Sequence, residues 1–139
     1  MVWLSILLLL PLVWVLLSVF EVQRGSFGVS AASRAAARAF ALAPDDATGE
    51  QRAAAAARQA LGDQGLDDAP LDVEVSCTPF PRTCHSGTSV ITVRLRSAVR
   101  LPLLPDVLGS GAPSFALRSE HTVPIGRFLQ VTGDGGDAR

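Results

Sequence analysis

The sequence has no lysine, no asparagine and no tyrosine. All 12 basic residues are arginine, and 13 acids bring the net charge to −1. No basic surplus is available to hold a polyanion, so no nucleic acid is expected as a partner. Histidines and cysteines number two each. A structural zinc site takes about four ligands, and only His85 lies near the pair Cys77 and Cys84. Neither histidine falls in an H-E-x-x-H helix pattern, and no serine sits in a nucleophile elbow. His85 and His121 therefore read as surface or edge residues. Gly133-Asp134-Gly135-Gly136-Asp137 is one imperfect copy of a calcium-binding repeat, and such sites need stacked copies. The expectation is a non-enzymatic chain with no cofactor and no metal site.

Charge is also missing from the first stretch. From Val2 to Phe20 no residue is ionisable, and only Ser5 and Ser18 are polar. As a helix this run covers roughly 28 Å, against ~30 Å of bilayer hydrocarbon. Pro11 is tolerable, because membrane helices accommodate proline. A signal-peptide core is usually ~7–15 residues behind a basic segment, which favours an uncleaved anchor. The division expected is an anchor at 1–21, an extracytoplasmic domain at 22–128 and a disordered tail at 129–139. Glu21 closes the apolar run and Arg24 follows one turn later. A terminal acid costs less than a central one and can pair or contact a partner.

No proline interrupts the chain between Pro11 and Pro44. Ser30 to Ala43 is rich in alanine and arginine, both strong helix formers. One long helix over about 3–42 is expected, half in lipid and half out, with Gly25 to Gly28 as a soft point. Gly28, Ala32 and Ala36 form a small-residue row at i, i+4 spacing; Ala31, Ala35 and Ala39 form another. Such rows let helices approach closely, so Gly28, Ala32 and Ala36 are candidates for helix packing with a partner. A leucine at Ala32 is expected to block association without unfolding the rest. A second helix is expected over Glu50 to Leu61, capped at Thr48, stopped at Gly62 and only weakly anchored through its alanines.

After Pro70 the period becomes two. Leu71, Val73, Val75 and Cys77 alternate with polar residues, as do Ile91, Val93, Leu95 and Val99, then Phe115 and Leu117. Three half-buried antiparallel strands are expected near 71–77, 89–100 and 114–124. Asp72, Glu74, Arg94, Arg96 and Glu120 would share the wet face as cross-strand pairs. Leu101-Pro102-Leu103-Leu104-Pro105 cannot continue a central strand and begins a longer connection. Cys77 and Cys84 are too widely spaced for a C-x-x-C redox pair. A disulfide is the natural reading outside the membrane, with two free thiols as the alternative.

These pieces resemble a known family. Leu10-Pro11 in the anchor, then Phe20-Glu21-Val22-Gln23-Arg24, then Ala31 to Ala39 follow the order of TadE-like proteins of tight-adherence (Flp-type) pilus systems. The two-cysteine loop, the strand at Val90–Leu95 and Val99-Arg100-Leu101-Pro102-Leu103 resemble the actinobacterial members. The resemblance implies an α+β, pilin-like fold: a long N-terminal transmembrane helix continuing outside the membrane, a short second helix and a three-stranded antiparallel sheet. It implies a minor pseudopilin or assembly protein. Its partners would be pilins, pseudopilins and secretion-apparatus membrane proteins, besides the lipid bilayer. Family members usually carry a leader with a prepilin-peptidase site and an acid just inside the apolar run. Glu21 matches the later family glutamate, so the early acid's role is not carried to it. Either a leader is encoded ahead of Met1 or the chain is not processed. The alternative class is a single-pass envelope protein whose outer domain binds another partner.

Overall fold

The computed structural model describes residues 2–86, 88–100 and 114–125. Helix α1 (Val2–Ala41) is continuous over 40 residues, about 60 Å at 1.5 Å per residue. It runs through Pro11 and through the glycines at 25 and 28 without a break. Both glycines are buried, so packing rather than propensity holds the helix there. Ser18 and Ser26 donate their hydroxyls to the carbonyls of Trp14 and Val22, each at 2.9 Å. That back-bonding meets the polar need of each serine within the helix itself.

Helix α2 (Asp46–Gly62) differs from expectation at both ends. Its N-cap is Asp45, in extended conformation, whose carboxylate accepts the Thr48 amide at 2.8 Å and the Thr48 hydroxyl at 3.0 Å. Thr48 therefore sits inside the first turn as the donor. The short Asp45 side chain reaches the free Thr48 amide from an extended backbone, so the helix starts earlier. At the other end Asp63 stays right-handed, and the left-handed residue is Gly65 at φ +69°. The Gly65 amide reaches Gly62 O at 2.7 Å, and the Leu66 amide reaches Leu61 O at 3.0 Å. This is a Schellman stop built on Gly65 rather than Gly62. Nor is α2 loosely attached. Gly49, Ala53, Ala57 and Leu61 are all buried. A Cβ at Gly49 would fall 2.9 Å from the Phe40 ring. The alanine face seats α2 closely on α1, because it adds no bulk between the backbones.

Strands β1 (Leu71–Thr78), β2 (Val90–Arg100) and β3 (Ser114–Pro124) form an antiparallel sheet in that order. Val75, Val93 and His121 stand in one rung; Glu74, Arg94 and Glu120 stand in the next. The fold is thus α+β, with a long N-terminal apolar helix, a short second helix and a three-stranded sheet. Alternation places Ile91, Val93, Leu95, Val99, Leu117 and Cys77 inward, where they join Val29, Phe40 and Leu61 in one core. The connection beginning at Leu101 and the tail at 129–139 lie outside the described residues.

Candidate functional site

The C-terminal half of α1 belongs to the domain core, and the N-terminal half is left unburied by the described residues. No residue from Val2 to Phe20 is buried. It is the one helix among the described residues long and apolar enough to cross a membrane. Its fourteen Leu, Ile, Val and Phe residues between Val2 and Phe20 favour bilayer insertion by about 4–8 kcal/mol. The same surface would be a large unpartnered apolar patch in water.

Burial begins at Gly25, five residues past the end of this run. A Cβ at Gly25 would lie 2.6 Å from both Val99 Cγ2 and Leu117 Cδ1. The base of β2 and β3 therefore rests directly on α1 at Gly25, with no stalk between apolar run and sheet. Glu21 is half-buried at the mouth of an open cleft of about 520 Å³, together with Gly65, Asp67, Asp68, Ala98 and Arg100. Arg24 lies over Gly65, where a Cβ would strike its guanidinium. Gly65 is thus glycine twice over, for its positive φ and for this close approach. The Glu21 and Arg24 side chains make no ion pair with each other among the described residues.

Gly28, Ala32 and Ala36 are buried within this same chain. A Cβ at Gly28 would meet Leu66 Cδ1 at 3.0 Å, and Ala32 and Ala36 join the core cluster. The row packs the chain's own elements together and presents no open surface. A leucine at Ala32 would overpack this interior, so it cannot test association by itself. The neighbouring row, Ala31, Ala35 and Ala39, is only half-buried. Ser33 adds a polar rivet: its fully buried hydroxyl donates to Ser30 O at 3.0 Å and meets Ser119 Oγ at 2.9 Å.

Cys77 and Cys84 form a disulfide, with Cα atoms 5.4 Å apart, closing the loop between β1 and β2. The loop is fastened to the corner between the helices. Asp46 Oδ2 accepts the Cys84 amide at 2.9 Å, and Oδ1 accepts the His85 amide at 3.2 Å. Oδ1 also meets His85 Nδ1, while His85 Nε2 lies 3.1 Å from Phe40 O at the end of α1. The imidazole stacks on the Phe40 ring, centroids 5.1 Å apart. Burial pushes the Asp46 carboxyl up, but hydrogen bonds from the His85 ring and the Cys84 amide, with the His85 charge and amide, outweigh it. Asp46 is held below the usual carboxylate range. Asp45 is lowered mainly by the Thr48 amide and hydroxyl. This clasp joins residues about forty positions apart, and no local sequence signal announced it. His121 takes no part in it and stands on β3 opposite Val93.

On the wet face Arg94 binds Glu120 at 3.0 Å, and Arg96 reaches Glu74 at 3.8 Å. Both pairs are about half exposed, so they add little stability. No group of three or more metal-ligating side chains occurs among the described residues. Comparison with protein-family models, with curated proteins and with solved structures gives no match to the chain.

Proposed function

We propose that the chain is a membrane-anchored minor pseudopilin, or an assembly protein of a pilus or secretion apparatus. It acts without catalysis, through helix packing and protein–protein contacts. One observation carries the reading: a single unbroken helix is apolar and uncovered over Val2–Phe20, then becomes the core of a small domain from Gly25 onward. A subunit that packs by its stem needs this division, because a rigid rod transmits a contact in the bilayer to the domain outside. The TadE-like order of motifs along the same helix supports it. In this reading the N-terminus is cytoplasmic and the domain extracytoplasmic, where an oxidising compartment suits the Cys77–Cys84 bond.

Glu21 is the stem residue chosen to meet a partner. It stands where the apolar run ends, and its carboxylate has no hydrogen-bond or ion-pair partner within the described residues. A photo-crosslinking amino acid at Leu12 or Leu16, both about half exposed, is expected to capture a pilin-type or pseudopilin helix in intact cells. Glu21→Gln should weaken that adduct while membrane insertion is unchanged. Lipid adducts alone, identical in wild type and Glu21→Gln, would reduce the stem to a plain anchor.

A further inference from the structure

We infer that His85 is held as an imidazolium and makes the disulfide loop a pH-sensitive latch across the α1–α2 corner. Both of its ring nitrogens face oxygens that accept: Nδ1 the Asp46 carboxylate, Nε2 the Phe40 carbonyl. A neutral imidazole carries one N–H and can satisfy only one of them. The imidazolium carries two and satisfies both. Its side chain is only 14% exposed, and that burial opposes charge; the charges and dipoles that face the ring favour it. The groups of α2 and its cap that face it are carboxylates, Asp46 directly and Asp45 through space. α1 contributes the Phe40 ring and one of its last carbonyls, at the negative end of the helix dipole. Arg38 in the last turn of α1 and Arg82 in the loop are exposed, and neither forms an ion pair with Asp46.

The latch has a definite sign. It holds while the ring is protonated and Asp46 is ionised. As pH rises through the ring's titration, one of the two ring bonds is lost and the attraction to Asp46 goes with it. As pH falls through the depressed titration of Asp46, the carboxylate is lost instead. In between, the amides of Cys84 and His85 stay pinned to Asp46, and the loop carrying Phe80 stays on the helix corner. Acidification into that window from above would fix this end of the domain, and alkalinisation out of it would free it.

The test uses the full chain in detergent micelles, labelled with ¹⁵N. Ring nitrogen shifts report the protonation of His85, and hydrogen exchange of the Cys84 and His85 amides, corrected for intrinsic rates, reports docking. In the wild type the two should change together with one midpoint. Amide protection should fall at least about tenfold as the ring goes neutral, the factor for one charge-assisted bond. His85→Gln should remove this pH dependence while the β2–β3 amides stay protected. His121 supplies a second ring signal that should not track loop protection. The inference is overturned if His85 carries a neutral tautomer while the loop amides are fully protected. It is equally overturned if protection is unchanged across the ring's titration. Neither outcome bears on whether the stem meets a pilus partner.

Discussion

Adding one methyl group to α1 should have opposite effects at Gly25 and at Gly28. Replacing glycine by alanine inside a helix gains about 1 kcal/mol from propensity alone. At Gly25 the new methyl would fall 2.6 Å from Val99 Cγ2 and 2.6 Å from Leu117 Cδ1. Val99 is a stiff β-branched residue in β2, so the strand itself must give. Overpacking of this kind typically costs about 1–3 kcal/mol, which cancels or exceeds the propensity gain. At Gly28 the nearest atom is the flexible end of Leu66 at 3.0 Å, then Gln64 Cγ at 3.4 Å. Those ends can swing aside, and most of the gain survives. Gly25→Ala is therefore expected to lower stability by up to about 2 kcal/mol, and Gly28→Ala to leave it level or raise it. For a domain of this size 1 kcal/mol moves the melting temperature by roughly 4–8 °C. The assay is thermal unfolding of the full chain in detergent, followed by far-UV circular dichroism, because the stem stays helical and the domain supplies the transition. A rise in melting temperature for Gly25→Ala, equal to that for Gly28→Ala, would refute close packing of the sheet base on the helix.

Removing the Cys77–Cys84 bond, with its sequence separation of 7, should cost about 2.5 kcal/mol by chain entropy. Urea unfolding with and without reductant measures it, and alkylation with mass spectrometry should find both sulfurs blocked until reductant is added. Asp46 is depressed in the folded state. The stability it contributes is therefore present above the ordinary carboxylate titration near ~3.9 and is lost as pH falls through its lower folded value. Asp46→Asn should be less stable than wild type at neutral pH and should lose less stability than wild type on going below about pH 4. A steeper acid loss in Asp46→Asn would contradict the assignment.

Period-two patterning placed the strands within a residue or two, because one face of each strand is buried and the register cannot slip. The helix over Val2–Ala41 was legible because no proline stands between Pro11 and Pro44. Terminal chemistry was harder to read. Asp45 and Thr48 are both good caps, and Gly62 and Gly65 are both plausible stops. Tertiary contacts chose between them: α2 is pinned by Asp46 to the disulfide loop, and Arg24 packs over Gly65. Alanine misled for a related reason. On a helical wheel Ala53 and Ala57 look like weak anchors, yet their smallness is what lets α2 sit against Phe40 and the small-residue row of α1. The same smallness made Gly28, Ala32 and Ala36 look available to a partner, although the chain uses them itself. The Asp46–His85–Phe40 clasp depends on a fold-level meeting of three segments, which one sequence does not encode locally.

The central claim is that one helix serves both as membrane anchor and as the spine of a domain outside the cell membrane. Protease added to intact spheroplasts expressing the chain with an N-terminal tag tests it directly. Loss of the domain beyond Glu21 and survival of a tagged, membrane-embedded fragment are expected. Full protection of the domain until the membrane is lysed, or release of the untouched chain by a carbonate wash, would contradict the claim.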